Sequence, residues 1–528
     1  MSVSDTQHTP PRAVPLEPSA VVAVVGAGAM GAGIAQVAAA AGHLVKLVDA
    51  REGAAAAAID GIRAQYRKLA DKSRMTAEAA EAAGRRLVAA AGLGDLADAA
   101  LVVEAIVENL EAKRTLYREL EAIVGDDCIF GTNTSSISVT SIGATLRRPE
   151  RLAGLHFFNP APLMALVEIV SGLATDKAVA DTLFATAEAW GKTPVHARST
   201  PGFIVNRVAR PYYAEALRVL NEGGADCATL DALMRDCGGF RMGPFELMDM
   251  IGHDVNFAVT RSVWNAFYND PRFTPSLIQQ ELVDAGFYGR KNGRGFFDYR
   301  DGAVRPAPKE AVAQSTPTDI VLHGQSAAAH ALADRLFERG IAYAWSEAED
   351  ERSRGQADDG RIAEAGGAVL FVTDGRSATQ RAADLGIANV VLIDAALDHA
   401  SATRIAVGAA INAWAPAIGA AIGLLQAAGF AVSRLNDIPG LIVMRTVAML
   451  ANEAADAVNQ GVCDARGADA AMRLGVNYPR GPLEWADRIG LPAVRDVLAN
   501  LARFYGEDRY RVSPLIQQHV FAGKNIHD

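Results

Sequence analysis

The feature that most narrows the fold is a glycine cluster set between two β-branched runs near the start of the chain. Residues 20–25, Ala-Val-Val-Ala-Val-Val, have the unbroken apolar character of a parallel strand buried on both faces. Gly26, Gly28 and Gly31 follow at GxGxxG spacing, then an Ala-rich, helix-favouring stretch over 29–41 that Gly42 closes. A second strand, 44–48, ends on Asp49. This order predicts a βαβ unit that binds a dinucleotide. Gly26 permits the tight turn, Gly28 lets the backbone approach a pyrophosphate, Gly31 lets the helix pack on the sheet, and the helix N-terminus offers N–H donors to phosphate. Met30, inside the same cluster, is counted with the cofactor positions. Asp49 is placed to accept hydrogen bonds from the adenosine ribose and would repel a 2′-phosphate, so NAD is expected over NADP; Arg51, two residues on, could soften that choice.

With 528 residues, half of them hydrophobic, the chain needs more than one core, and three or four structural units are expected. The net charge of −10 means that coenzyme phosphates must be met by locally placed cations, and nucleic acid is not an expected partner. Cys128, Cys227, Cys237 and Cys463 show no CxxC or metal-ligand spacing, so they read as plain thiols in a reducing compartment and no metal site is expected. Residues 1–18, polar and carrying Pro10, Pro11, Pro15 and Pro18, read as a flexible tail without a secretory signal. The longest apolar stretch, 405–430, is broken by Asn412 and Pro416, which argues against a membrane span; a cytoplasmic protein is expected.

From His156 the sequence reads His-Phe-Phe-Asn-Pro-Ala-Pro-Leu-Met-Ala-Leu-Val-Glu-Ile-Val. The two prolines fix a turn, and the strand that follows can return Glu168 beside His156. Histidine titrates near neutrality and can accept a hydroxyl proton, while a neighbouring carboxylate orients the ring. Alcohol oxidation needs such a base held together with the carbinol carbon and a nicotinamide. On its own, such a pair is more often structural; the surrounding motifs decide.

Those motifs are Gly-Ala-Gly-Ala-Met-Gly-Ala-Gly-Ile-Ala-Gln from Gly26, Glu-Ala-Ile-Val-Glu-Asn-Leu from Glu104, Thr-Asn-Thr-Ser-Ser from Thr132, His-Phe-Phe-Asn-Pro, Pro-Gly-Phe-Ile-Val-Asn-Arg from Pro201, and Gly-Arg-Lys-Asn-Gly-Arg-Gly-Phe-Phe-Asp-Tyr from Gly289. Over residues 20–300 the chain resembles the 3-hydroxyacyl-CoA dehydrogenase family. The resemblance implies His156 as general base in oxidation and general acid in reduction, Glu168 as its electrostatic partner, and Ser135 and Asn206 as the polar pair that holds the substrate hydroxyl and thioester end. It further implies Glu108, Lys113, Asn159 and Lys291 around the cofactor and Lys72 at the coenzyme A moiety, with Arg67 and Lys68 sharing a basic edge.

The chain also repeats itself. At an offset of 238, Pro201-Gly202 falls on Pro439-Gly440, Arg207 on Arg445, Glu215 on Glu453, Gly243-Pro244 on Gly481-Pro482, and 277–280 on 515–518. Asn206 is met by Met444, so the second copy is expected to be catalytically silent. Residues 404–412 are expected to superpose on 151–159, which puts Ala409 where His156 stands. The expected fold is thus an α/β Rossmann cofactor domain (19–198), an all-α domain (199–300), a linker (301–318), a degenerate Rossmann-like segment (319–436) and a second all-α copy (437–528). The helical domains would pair within one chain, giving a monomer, or the chain would form a homo-oligomer.

The long form resembles the bacterial phenylacetate-pathway dehydrogenases, which implies 3-hydroxyadipyl-CoA as substrate; a general fatty-acid or 3-hydroxybutyryl-CoA dehydrogenase is the alternative. A β-hydroxy-acid dehydrogenase without coenzyme A would use a lysine for proton transfer, which the His156 block opposes. A non-catalytic relative on this scaffold is opposed by His156, Glu168, Ser135 and Asn206 all standing in place. A substrate ending in carboxylate requires a cation at the far end of its pocket, with Arg241 and Arg210 among the candidates.

Overall fold

The computed structural model describes residues 14–346 and 360–528. The expected flexible tail lies outside the described residues over 1–13, as do 347–359 of the expected degenerate segment. In the rest of that tail, the Leu16 N–H donates to Thr186 Oγ1 at 3.0 Å and the Leu16 side chain packs on the first core, so this part is docked rather than loose. The chain forms two compact units: residues up to Val205 together with Gly461–Val476, and Asn206–Gln460 together with Asn477–Asp528. Among the described residues, no helix is long and apolar enough to cross a membrane.

The first unit is built on eight strands: β1 (Val21–Val25), β2 (Val45–Val48), β3 (Leu87–Ala89), β4 (Ala99–Glu104), β5 (Ile129–Thr132), β6 (Leu152–Phe157), β7 (Leu166–Ser171) and β8 (Thr193–Arg198). Their order is β3-β2-β1-β4-β5-β6-β7-β8. All neighbours are parallel except β6 and β7, the strands on either side of the double-proline turn. β1 lies between β2 and β4, so the order reverses there, which is where open α/β sheets leave a crevice for ligands. The β-branched run of β1 is buried on both faces, and Ile34, Ala35 and Ala38 of the helix Ala29–Ala40 complete its core. The helix Ala465–Gly475 joins this unit because Gly475 lies against Leu166 and Val205 where a Cβ would clash.

The second unit holds a seven-stranded sheet of β9 (Val321–Leu322), β10 (Ala344–Trp345), β11 (Arg361–Ala365), β12 (Ala368–Val372), β13 (Val390–Ile393), β14 (Arg404–Ala409) and β15 (Ala431–Leu435), in the order β10-β9-β11-β12-β13-β14-β15. All seven strands lie within the segment read as Rossmann-like over 319–436. The expected linker packs along the sheet: the Ala311 N–H donates to Val432 O, and Ser433 Oγ donates to Lys309 O.

One expectation is overturned. Residues 404–412 do not superpose on 151–159, because β14 is antiparallel to β13 as β7 is to β6, and the registers agree residue for residue at the offset of 238. Leu155 pairs with Ile169, and Ile393 with Val407; Gly154 pairs with Val170, and Leu392 with Gly408. The helices Lys177–Ala189 and Ala415–Ala427 keep the same offset at both ends. The residue standing where His156 stands is therefore Asp394, and Ala406 stands where Glu168 stands.

The helical elements of the second unit follow the same spacing. Helices begin at Pro244 and Pro482, and at His253 and Leu491. The helices Arg210–Asn221 and Val443–Asn459 pack together, and the segments that carry them exchange buried ion pairs reciprocally: Arg207 Nε, just before the first helix, meets Glu453 Oε1 at 2.5 Å, and Arg445 Nε meets Glu215 Oε2 at 2.6 Å. Residue i of one segment meets j of the other and the reverse holds as well, which is the pattern of a twofold interface.

Candidate active site

The glycine loop has the shape a pyrophosphate requires. Gly26 sits at φ +105°, and a Cβ there would fall 2.4 Å from the Ala105 carbonyl oxygen. A Cβ on Gly31 would lie 1.8 Å from the Gly26 carbonyl, so helix and loop touch backbone to backbone. Gly28 is exposed with nothing within 4 Å of a Cβ, and as N-cap of the helix Ala29–Ala40 it gives the first turn no side-chain cap. Those first-turn N–H groups are left for an anionic ligand. Met30 is half-buried beside them. Asp49 follows β2, and its Oδ2 accepts the Ala27 N–H at 2.7 Å, tying this carboxylate to the loop. The Arg51 guanidinium beside it, at 3.1 Å, holds the Asp49 carboxyl down at about 2. The donor loop, the uncapped helix end and the carboxylate fit a dinucleotide.

His156 lies on β6 directly opposite Glu168 on β7. Their side chains meet at 2.6 Å between Nδ1 and Oε2, both buried. The other oxygen, Oε1, accepts the backbone N–H groups of Ile204 and Val205 at 3.1 and 3.0 Å. With one oxygen fixed by two amides, the other is aimed at the ring. Phe158 and Phe203 flank the imidazole at 4.6 and 5.7 Å between ring centres. Phe203 stands at φ +47° after Gly202 at +75°, the turn that brings the two amides to Glu168. Nδ1 being committed, Nε2 is the nitrogen free for chemistry.

A second network anchors the loop carrying Ser135. Glu108 Oε1 accepts Thr134 Oγ1 at 2.6 Å and the N–H groups of Ser135 and Ser136 at 3.0 Å each. Burial pushes the Glu108 carboxyl up, but the Thr134 hydroxyl and the Lys113 charge more than offset this and hold it below the usual carboxylate range. Lys113 is buried, its Nζ 2.5 Å from Glu104 Oε1 and 3.3 Å from Glu108 Oε2. Lys113 is therefore held by two carboxylates beneath the surface. Glu104, buried at the end of β4 and also accepting Thr132 Oγ1 at 2.7 Å, was not singled out from the sequence, although it opens one of the motifs quoted above. Asn133 was missed as well; its Oδ1 accepts the Phe157 N–H at 2.8 Å, linking β5 to the histidine strand.

Asn159 is exposed after the histidine strand, and Lys72 is exposed at the end of the helix Ala54–Asp71. Arg67 and Lys68 line a cleft with Arg63 and Arg85. Asn206 and Lys291 belong to the second unit: the Asn206 carbonyl accepts Arg210 Nε at 2.8 Å, and Lys291 pairs with Asp254. At the position of His156, Asp394 is fully buried, its Oδ2 accepting the N–H groups of Ile442 and Val443 at 2.9 and 2.8 Å, and its Oδ1 those of Met444 and Ala395 at 2.9 Å each.

A dinucleotide cradle on the same sheet as a buried, carboxylate-backed histidine defines a nicotinamide-dependent dehydrogenase acting on a hydroxyl or carbonyl group. Comparison with known proteins narrows the class. Residues 21–200 match the 3-hydroxyacyl-CoA dehydrogenase NAD-binding domain, 202–299 and 440–526 both match that family's C-terminal domain, and 370–439 match the 3-hydroxybutyryl-CoA dehydrogenase reduced Rossmann-fold domain. The chain is 44% identical over 499 residues to the 3-hydroxyadipyl-CoA dehydrogenase of Escherichia coli K12, covering 94% of this chain and 97% of the relative. It is 42% identical over 288 residues to the mitochondrial hydroxyacyl-coenzyme A dehydrogenase of Sus scrofa, covering 53% and 91%. A crystal structure of 3-hydroxybutyryl-CoA dehydrogenase from E. coli K12 superposes with a TM-score of 0.85 at 43% identity, covering 96% of this chain and 98% of that one. The chain belongs to the 3-hydroxyacyl-CoA dehydrogenase family, and its first unit is the family's NAD-binding domain.

Proposed function

We propose that the chain oxidises 3-hydroxyadipyl-CoA reversibly to the 3-oxoacyl-CoA, with His156 as the proton-transferring residue. The observation that carries the catalytic reading is the buried 2.6 Å contact of His156 Nδ1 with Glu168 Oε2. With Nδ1 facing a fixed carboxylate, Nε2 takes the proton of the substrate hydroxyl in oxidation and returns it in reduction, while Glu168 stabilises the imidazolium formed in between. Bound NAD supplies the hydride acceptor. Ser135 and Asn206 orient the substrate oxygens without adding charge. Gly26, Gly28, Met30 and Gly31 cradle the pyrophosphate, Asp49 takes the ribose, and Glu108, Lys113, Asn159 and Lys291 shape the remainder of the cofactor site. Lys72, with Arg67 and Lys68, meets the coenzyme A phosphates.

The second half is read as a degenerate copy that keeps the framework and not the chemistry. Asp394 and Met444 replace His156 and Asn206, and 319–436 carry no glycine cluster after β9. Its helical part serves as an intrachain partner for the first helical segment.

The substrate reading rests on the E. coli relative named for 3-hydroxyadipyl-CoA, which matches nearly end to end. A shorter-chain reading is favoured by the E. coli structure named for 3-hydroxybutyryl-CoA. Comparing kcat/KM for NADH-dependent reduction of 3-oxoadipyl-CoA and acetoacetyl-CoA separates them. A higher value for 3-oxoadipyl-CoA is expected; a clear preference for acetoacetyl-CoA overturns the dicarboxylate reading.

A further inference from the structure

Among the described residues, Arg210 is a buried cation without a counter-charge. It opens the helix Arg210–Asn221 and is 5% exposed. Its Nε donates to the Asn206 carbonyl at 2.8 Å and its Nη1 to Thr260 Oγ1 at 3.1 Å, and its guanidinium lies 5.0 Å over the Tyr213 ring. Two of its five N–H groups are thereby engaged, and among the described residues no carboxylate lies within ion-pair distance of it. Arg210 lines a cavity of about 290 Å³ together with Thr260, Phe273, Thr274, Ser276 and Gln279.

Two other arginines line that cavity, and both are neutralised. Arg218 meets Glu222 at 3.3 Å and also Glu507, and Arg509 meets Glu507 at 3.7 Å and Glu215 at 3.9 Å. Glu222, the one carboxylate in the lining, is thus already held by Arg218 and by Arg445 at 3.6 Å. Burial pushes the Arg210 guanidinium below its ordinary value, yet a guanidinium remains a cation throughout the physiological range. A buried charge left unpaired is costly.

The helical framework does not require that charge. At the offset of 238, Arg210 falls on Ala448, fully buried in the corresponding helix. The cation belongs to the first copy only, the copy that carries Asn206. Arg210 stands four residues after Asn206, at the first residue of the next helix, and its Nε reaches the Asn206 carbonyl oxygen at 2.8 Å. In a six-carbon diacid the terminal carboxyl carbon lies three C–C bonds from the carbinol carbon, about 4 Å at about 1.5 Å per bond. A residue read as orienting the reacting end and a guanidinium within hydrogen-bond reach of its backbone stand close enough together to meet the two ends of such an acyl chain.

We propose that Arg210 forms the subsite for the terminal carboxylate of a dicarboxylic 3-hydroxyacyl-CoA and so sets acyl specificity. This rests on the substrate reading given above. An Arg–carboxylate pair in a desolvated pocket is a strong, directional contact, and an acyl chain ending in methyl leaves the guanidinium unpaired.

The test compares 3-oxoadipyl-CoA with 3-oxohexanoyl-CoA, which differ only in carrying carboxylate or methyl at C6, for the natural full-length chain and for Arg210→Met. The kcat/KM ratio of the carboxylated to the methyl substrate should fall roughly 10- to 100-fold in Arg210→Met, chiefly through KM for 3-oxoadipyl-CoA. Arg210→Lys should retain part of it. If Arg210→Met does not accumulate as soluble chain, Arg210→Lys and Thr260→Val, which loosens the anchored guanidinium, should each lower the same ratio severalfold. A natural chain that prefers 3-oxoadipyl-CoA with a ratio these variants leave unchanged overturns this inference alone. A natural chain without that preference overturns the substrate reading, and the inference with it.

Discussion

Asp394 stands 238 residues after His156, at the same register in the corresponding strand pair, and its carboxylate accepts the N–H groups of Ile442 and Val443 just as Glu168 accepts those of Ile204 and Val205. The carboxylate that accepts these amides stands on the neighbouring strand, at the position of His156, and Ala406 stands at the position of Glu168. The backbone turn is kept as well, with Gly202 and Phe203 at φ +75° and +47°, and Gly440 and Leu441 at +74° and +51°. The backbone framework is retained and the histidine is not. Calorimetry should therefore find one NADH per chain; two would contradict a silent second half.

Burial pushes the Asp394 carboxyl up to about 6, against the pull of four backbone N–H groups. A folded-state value above the ordinary one favours the folded chain while the group is protonated, and that advantage is lost as pH rises through about 6. The stability of the natural chain relative to Asp394→Asn should accordingly fall between about pH 4 and pH 7, by about 3 kcal/mol. Urea midpoints of both chains across that interval measure it, and a difference that stays flat or grows contradicts the assignment.

Coenzyme choice should reside in Asp49. Asp49→Ser removes the carboxylate that opposes a 2′-phosphate, so the ratio of kcat/KM for NADH over NADPH should drop. Arg51→Ala, which removes the cation paired with Asp49 at 3.1 Å, should widen it. If the ratio is indifferent to Asp49→Ser, the ribose is not held there.

The reciprocal pairs Arg207–Glu453 and Arg445–Glu215 are buried. Arg445→Met leaves Glu215 without its nearest cation and should cost about 3–5 kcal/mol, and combining it with Glu215→Leu should recover much of that. A chain ending after Tyr299 loses Glu453 altogether. Because the pairing is twofold in pattern, Glu215 of a second truncated chain can serve Arg207, so light scattering should find a dimer or an aggregate. A soluble truncated monomer with full activity contradicts the partner role of the second helical copy.

The glycine loop, Asp49, and the His156 and Glu168 pair were legible because each rests on a short local pattern: strand, turn and helix in the one case, two strands around fixed prolines in the other. The Glu104–Lys113–Glu108 network was not, since charged residues at the end of a strand and on a helix read as solvated until the fold buries them. The repeat was legible in the helical region through Pro-Gly and Gly-Pro pairs that backbone geometry preserves. It was misread upstream, where strands keep register but not letters: at the offset of 238, Leu155, His156 and Phe157 correspond to Ile393, Asp394 and Ala395, with no residue in common. Only the antiparallel pairing of β13 with β14 reveals the correspondence.

The measurement that bears most directly on the catalytic account is single-turnover reduction of acetoacetyl-CoA by the His156→Gln chain, with NADH affinity read in parallel by fluorescence. Glutamine keeps a polar group near the position of Nδ1 beside Glu168 and cannot carry the proton. NADH binding should be unchanged and the rate lower by ~100- to 10,000-fold if His156 carries the proton. A rate within a few fold of the natural chain, with NADH bound normally, would contradict it.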